Sequence, residues 1–192
     1  MVIYHIQNWE DSYNQTLKLY EDIKKSNFHP DAIIGVARGG WVPARLLSDF
    51  FSIKETANIK VEAYHSIGES SSTPIITQNI NAKLSGKNVL IVDDIADSGK
   101  SLSLVISELE KMNVNNVKVA TLFYKNHSII KPDFFIYETS KWVVFPWEYY
   151  ETIEELTHSW VNNLTNSEIS YKLKEIGFPA SIVNSYFISQ SD

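Results

Sequence analysis

Between residues 31 and 124, short apolar runs of strand length alternate with stretches of helical period, and that alternation leaves few folds open. "DAIIGVA" (31–37) has no polar face and ends on "RGG", the pattern of a buried strand feeding a tight turn. "WVPARLLSDFF" (41–51) resumes helical spacing, with Pro43 in the first turn, where its missing N–H loses no bond. "KNVLIVDD" (87–94) is the strongest strand, and Leu102, Val105, Ile106, Leu109 and Met112 form one helical stripe after it. "NNVKVATLFY", "DFFIYET" and "KWVVF" read as further strands, residues 59–63 as a half-buried one, and "IITQNI" (75–80) as a returning one. Residues 2–6 suit a short edge strand, and Trp9, Tyr13, Leu17, Tyr20 and Ile23 predict a helix over 9–25. Strands apolar on both sides need cover on both faces, so the expected fold class is α/β, a largely parallel β-sheet flanked by helices. "ETIEELTHSWVNNL" and "SEISYKLKEIGF" predict two helices of a C-terminal extension over 149–192, beyond a core of 1–148.

The 192 residues suit one domain with an appendage, and the absence of cysteine excludes disulfides and thiolate metal sites. A net charge of −6 argues against nucleic acid as a partner. No apolar run has the length of a bilayer span and "MVIYHIQNWEDS" has no leader pattern, so no membrane association and a cytoplasmic location are expected.

Ligands of such sheets sit at the carboxyl ends of the strands, where "ARGG" and "DDIADSGKS" both fall. In "VLIVDDIADSGKS" (89–101) small residues open onto a helix, leaving backbone N–H groups at the positive end of its dipole. Ser98 and Ser101 add hydroxyl donors, Gly99 permits close approach, and Lys100 adds a cation. This is not a nucleoside triphosphate loop, because the first glycine of G-x-x-x-x-G-K-[ST] is replaced by Asp94. A response-regulator-like acidic pocket leaves Gly-Lys-Ser unexplained. A ribose phosphate reconciles the parts: vicinal hydroxyls donate to Asp93 and Asp94, and the 5′-phosphate suits residues 97–101.

The stretch resembles the phosphoribosyl pyrophosphate (PRPP) motif of the type I phosphoribosyltransferases: an apolar strand, two acids, two apolar or small residues, then Asp-Ser/Thr-Gly. The resemblance implies a parallel sheet flanked by helices with a small hood, within 1–148. "GVARGGWVPARLLS" is similar to the pyrophosphate loop of the purine-salvage members, which implies a cis peptide at Ala37–Arg38 and pyrophosphate bound by Arg38 and Gly39. "TLFYKN" places Lys125 where 6-oxopurine members donate to O6. "KWVVFPWE" resembles the purine segment of the xanthine-guanine and hypoxanthine-guanine enzymes, so Trp142 stacks on the base, the Val143 backbone reads its edge and Glu148 helps hold metal. The hood's Ser-Tyr pair has only Tyr64 and Ser66 as candidates, in the wrong order.

What the resemblance implies is transfer of ribose 5-phosphate from PRPP to hypoxanthine, guanine or xanthine, giving nucleoside monophosphate and pyrophosphate. Mg2+ is the implied cofactor, near Asp93, Asp94 and Glu148, and Asp97 the general base at purine N7. The loop 65–76 is expected to close over the centre, and the protein to be a homodimer or homotetramer. Two alternatives remain: an adenine-preferring enzyme, for which Lys125 is a poor partner, and a PRPP-sensing regulator of the same fold.

Overall fold

The computed structural model describes residues 3–64 and 73–188, and only the backbone of 63 and 64. Ser66 and the Tyr64 side chain, with most of the expected closing loop, therefore lie outside the described residues. The chain divides into two compact units, Ser12–Ser140 and a second made of Met1–Asp11 with Lys141–Asp192.

The larger unit is built on β2 (Ala32–Ala37), β3 (Thr56–Tyr64), β4 (Thr73–Gln78), β5 (Asn88–Ala96), β6 (Asn116–Tyr124) and β7 (Phe134–Glu138). They form a six-stranded sheet in the order β4-β3-β2-β5-β6-β7. Every pairing is parallel except β3 with β4. The uniformly apolar β2 is buried along its whole length because helices cover both of its faces. On one face Ile34, Val36 and Ile91 pack with Leu102, Val105 and Leu109 of α3 (Lys100–Glu110). On the other, Gly35 lies against Ala44 of α2 (Trp41–Phe50), where a Cβ would come 3.1 Å from the Ala44 methyl. Most of α1 (Trp9–Lys25) also belongs to this unit, with Leu19 and Ile23 fully buried. Each such side chain contributes roughly 1.5–3 kcal/mol by leaving water.

The strand order decides where a ligand can sit. From β2 the chain crosses through α2 to β3 on one side, and from β5 it crosses through α3 to β6 on the other. The neighbours β2 and β5 thus diverge at their carboxyl ends, opening the crevice in which open α/β sheets bind ligands. β5 runs two residues past the predicted end, since Ile95 and Ala96 still pair with Phe123 and Tyr124.

In the smaller unit β1 (Tyr4–Ile6) and β8 (Trp142–Val144) form a parallel two-stranded sheet in the register Tyr4↔Trp142. Val144, Tyr149, Ile153, Ile169, Leu173, Phe178, Val183 and Tyr186 make its core. They come from β8, from three helices, α4 (Tyr149–Trp160), α5 (Asn166–Glu175) and α6 (Ala180–Ile188), and, for Phe178, from the connection between α5 and α6. The sequence predicts only the first two, because 180–188 is apolar nearly all round and shows no amphipathic stripe. Thr165 caps α5 in a reciprocal capping box with Glu168.

Candidate active site

The phosphate-type turn lies at the carboxyl end of β5. Gly99, at φ 76°, is the N-cap of α3, and no acid occupies the first turn of that helix. A Cβ at Gly99 would lie 2.7 Å from the Ile130 backbone nitrogen, so both conformation and space require glycine. The Lys100 N–H reaches Ser98 Oγ only at 3.4 Å, and no side chain caps the helix. An uncapped N-terminus without an acid is a local positive field suited to an anion.

Asp93 and Asp94 are neighbours near the carboxyl end of β5. The Asp94 N–H donates to Asp93 Oδ1 at 3.0 Å. Burial, and then the Asp94 charge beside it, push the Asp93 carboxyl well above the ordinary carboxylate range. Asp94, 7% exposed, lies against the turn that follows β2: a Cβ on Gly39 would fall 2.5 Å from its Cγ. Gly40 is wedged against backbone, its N–H donating to the Val36 carbonyl at 2.9 Å. The Ala37–Arg38 peptide is cis, and Arg38 is exposed.

The third component comes from the end of β6. The Lys125 N–H donates to the Ala96 carbonyl at 2.9 Å, fixing the residue beside the end of β5. Its ammonium, 8% exposed, pairs with Asp97 Oδ2 at 2.6 Å. The other carboxylate oxygen, Oδ1, meets His127 Nε2 at 3.0 Å. Further on, the Ile129 N–H donates to the Ser98 carbonyl at 3.0 Å, so the segment 125–129 is bonded to the start of the phosphate-type turn. His127 escapes sequence reasoning, which finds no ligand spacing among the histidines; its position two residues past Lys125 is the only signal.

Arg38, Gly39, Asp93, Asp94, Lys125 and the 97–101 turn are thus all brought to the carboxyl edge of one sheet. Trp142, Val143 and Glu148 belong to the smaller unit. There Trp142 is 50% exposed and Val143 buried. Glu148 Oε1 accepts the Phe145 N–H at 2.9 Å. Among the described residues no three His, Asp or Glu side chains form a metal cage.

Known proteins share the sequence and the fold of this chain. A family model described as "Phosphoribosyl transferase domain" matches residues 4–153. A xanthine-guanine phosphoribosyltransferase of Cereibacter sphaeroides is 33% identical over 121 residues, covering 61% of this chain and 68% of that one. A purine phosphoribosyltransferase structure from Pyrococcus horikoshii Ot3 superimposes with a TM-score of 0.69 at 37% identity, over 75% of this chain and 93% of that one. The xanthine-guanine-hypoxanthine phosphoribosyltransferase of Helicobacter pylori gives 0.67 at 25% identity, over 79% and 98%. The chain therefore belongs to the phosphoribosyltransferase family, with the type I fold.

Proposed function

We propose that the protein transfers the ribose 5-phosphate of PRPP to a 6-oxopurine, releasing pyrophosphate. The observation that carries this reading is the contact of Asp97 with buried Lys125 beside the phosphate-type turn. A base docking there would meet a carboxylate for its N–H and an ammonium for its O6. Xanthine-guanine relatives support the same choice. A 6-aminopurine would turn hydrogens toward Lys125, which disfavours adenine.

The 97–101 turn and the N-terminus of α3 receive the 5′-phosphate, and Asp93 and Asp94 accept from the ribose hydroxyls. Arg38 and the Gly39 backbone face the leaving pyrophosphate. Asp97 takes the proton of the attacking purine, while Lys125 holds both that carboxylate and the O6 in place. His127, on the far oxygen of Asp97, narrows the directions the carboxylate can adopt. From the resemblance, Trp142 stacks on the base and the Val143 backbone reads its edge.

The donor set fits Mg2+: Asp93 and Asp94 offer only hard oxygens. When bound, it would neutralise the diphosphate oxygens, with Asp93 and Asp94 as its protein ligands; the resemblance alone adds Glu148.

Incubation with PRPP, Mg2+ and each purine in turn tests the reading. Nucleoside monophosphate should form with guanine, hypoxanthine or xanthine. A preference for adenine, or no product with any base, refutes it.

A further inference from the structure

β3 carries, next to the pyrophosphate loop, a pair of charges that the reaction above leaves unused. Lys60 is the register partner of Ala37, the last residue of β2, and so stands one strand away from Arg38. Its ammonium pairs with Glu62 Oε1, two residues along the same strand, at 2.7 Å. Both side chains, with Ala37, Arg38 and Val61, line a cavity of about 420 Å³. The walls of that cavity are therefore two cations, one carboxylate and the turn already assigned to the leaving group.

The pair is also locally built. The register of β3 and β4 jumps between Lys60↔Gln78 and Val61↔Ile76, leaving Thr77 as the extra residue of a bulge, a device that re-aims side chains. Hydrogen bonds from Lys60 first, and then from the Thr77 side chain, hold the Glu62 carboxyl below its ordinary range. Glu62 thus stays ionised and holds Lys60 at the cavity wall. A lone carboxylate would repel a phosphate here. A carboxylate that parks an ammonium does not, because a compact three-donor cation on a four-carbon stem can transfer to a stronger anion by rotating a few bonds.

We propose that Lys60 is a ligand of the diphosphate group, parked on Glu62 until PRPP or pyrophosphate occupies the cavity. This rests on the transferase reading, and it predicts opposite signs for the two members of the pair. Lys60→Met removes a cation that meets the anion; Glu62→Gln removes a competitor for that cation and a repulsive charge.

The test is calorimetric titration of magnesium pyrophosphate into wild type, Lys60→Met, Lys60→Arg and Glu62→Gln, with thermal unfolding as the control for fold. Steady-state KM for PRPP and for the purine completes it. Lys60→Met should weaken pyrophosphate binding roughly tenfold and raise KM for PRPP alike, leaving the purine KM within about twofold. Lys60→Arg should restore most of the affinity, and Glu62→Gln should tighten it by roughly two- to fivefold. Equal pyrophosphate affinity in wild type and Lys60→Met overturns the assignment of Lys60 alone. Weakening by Glu62→Gln to the same degree as by Lys60→Met does so too, since a merely structural pair behaves that way. A wild type that binds no pyrophosphate and forms no nucleotide overturns the transferase reading itself.

Discussion

The two glycines after Arg38 should fail in different ways. Gly39 would place a Cβ 2.5 Å from Asp94 Cγ and 2.8 Å from Oδ1, atoms of a side chain rather than of backbone. Gly40 would place one against the Val92 carbonyl, 2.7 Å from the Val36 carbonyl oxygen and 2.9 Å from its nitrogen, all backbone of two central strands. In Gly39→Ala the Asp94 carboxylate can swing aside for about 0.5–1.5 kcal/mol of rotamer cost. Lost flexibility of the unfolded chain returns about 0.4–1 kcal/mol, so the net change in stability should be under ~1 kcal/mol. In Gly40→Ala no side chain can yield and the strands must part, which places the cost near the top of the ~1–3 kcal/mol range for overpacking. For a chain of this size each kcal/mol moves Tm by roughly 2–4 °C. Calorimetry should therefore find Gly39→Ala within about 4 °C of wild type and Gly40→Ala lower by about 6–12 °C. Activity should order them differently. A displaced Asp94 loses charged hydrogen bonds to the ribose, about 1.5–3 kcal/mol, or some 10- to 100-fold in kcat/KM for PRPP. If that loss runs through Asp94, adding Gly39→Ala to Asp94→Ala should change little further. Unfolding of Gly39→Ala as early as Gly40→Ala, or a kcat/KM for PRPP within twofold of wild type, would rule out a yielding Asp94 carboxylate.

Asp97→Asn should lower kcat far more than it changes KM for PRPP, by about 10²-fold as for loss of a general base, and an unchanged turnover would sink that assignment. Lys125→Met should cost 6-oxopurine use selectively, raising KM for guanine or hypoxanthine by about tenfold while PRPP binding holds; equal loss with adenine would count against the O6 role. In the smaller unit, Thr165→Ala should cost ~1 kcal/mol through loss of the α5 cap, read by thermal unfolding. Hydrogen bonds from the Thr165 backbone, and then its hydroxyl, hold the Glu168 carboxyl below its ordinary 4.5. The associated stability is present above about pH 4.5 and is lost as pH falls through the depressed value. Glu168→Gln should flatten the acid limb of unfolding followed by circular dichroism, and an identical limb would contradict this account.

Local patterns are legible where an element carries a clear period or turn signal, as α6 does not. α1 spans the residues that its five apolar positions predict, and the strand, turn and helix of 87–112 follow as expected, because period and small-residue turns act over a few residues. The cis peptide before Arg38 was legible only through resemblance, since no composition or period encodes it. Pairings between distant segments were not legible. β8 reads as a strand, yet its partner is β1, well over a hundred residues earlier. Asp97 and Lys125 were each singled out, but their ion pair depends on the register of β5 with β6. Lys60 and Glu62 read as the polar face of a half-buried strand, and only the β2 register and the bulge at Thr77 bring them beside the turn at Arg38.

The hydrogen bonds from Lys125 to Ala96 and from Ile129 to Ser98 tie the end of β6 to the phosphate-type turn. On the proposed reading, the anchor for the 5′-phosphate and the donor for the far edge of the base are the two jaws of a caliper with a set gap. Selection then works by reach as well as by hydrogen-bond pattern. A pyrimidine joined to the same ribose phosphate holds its carbonyl one ring closer to the sugar, and would fall short of Lys125.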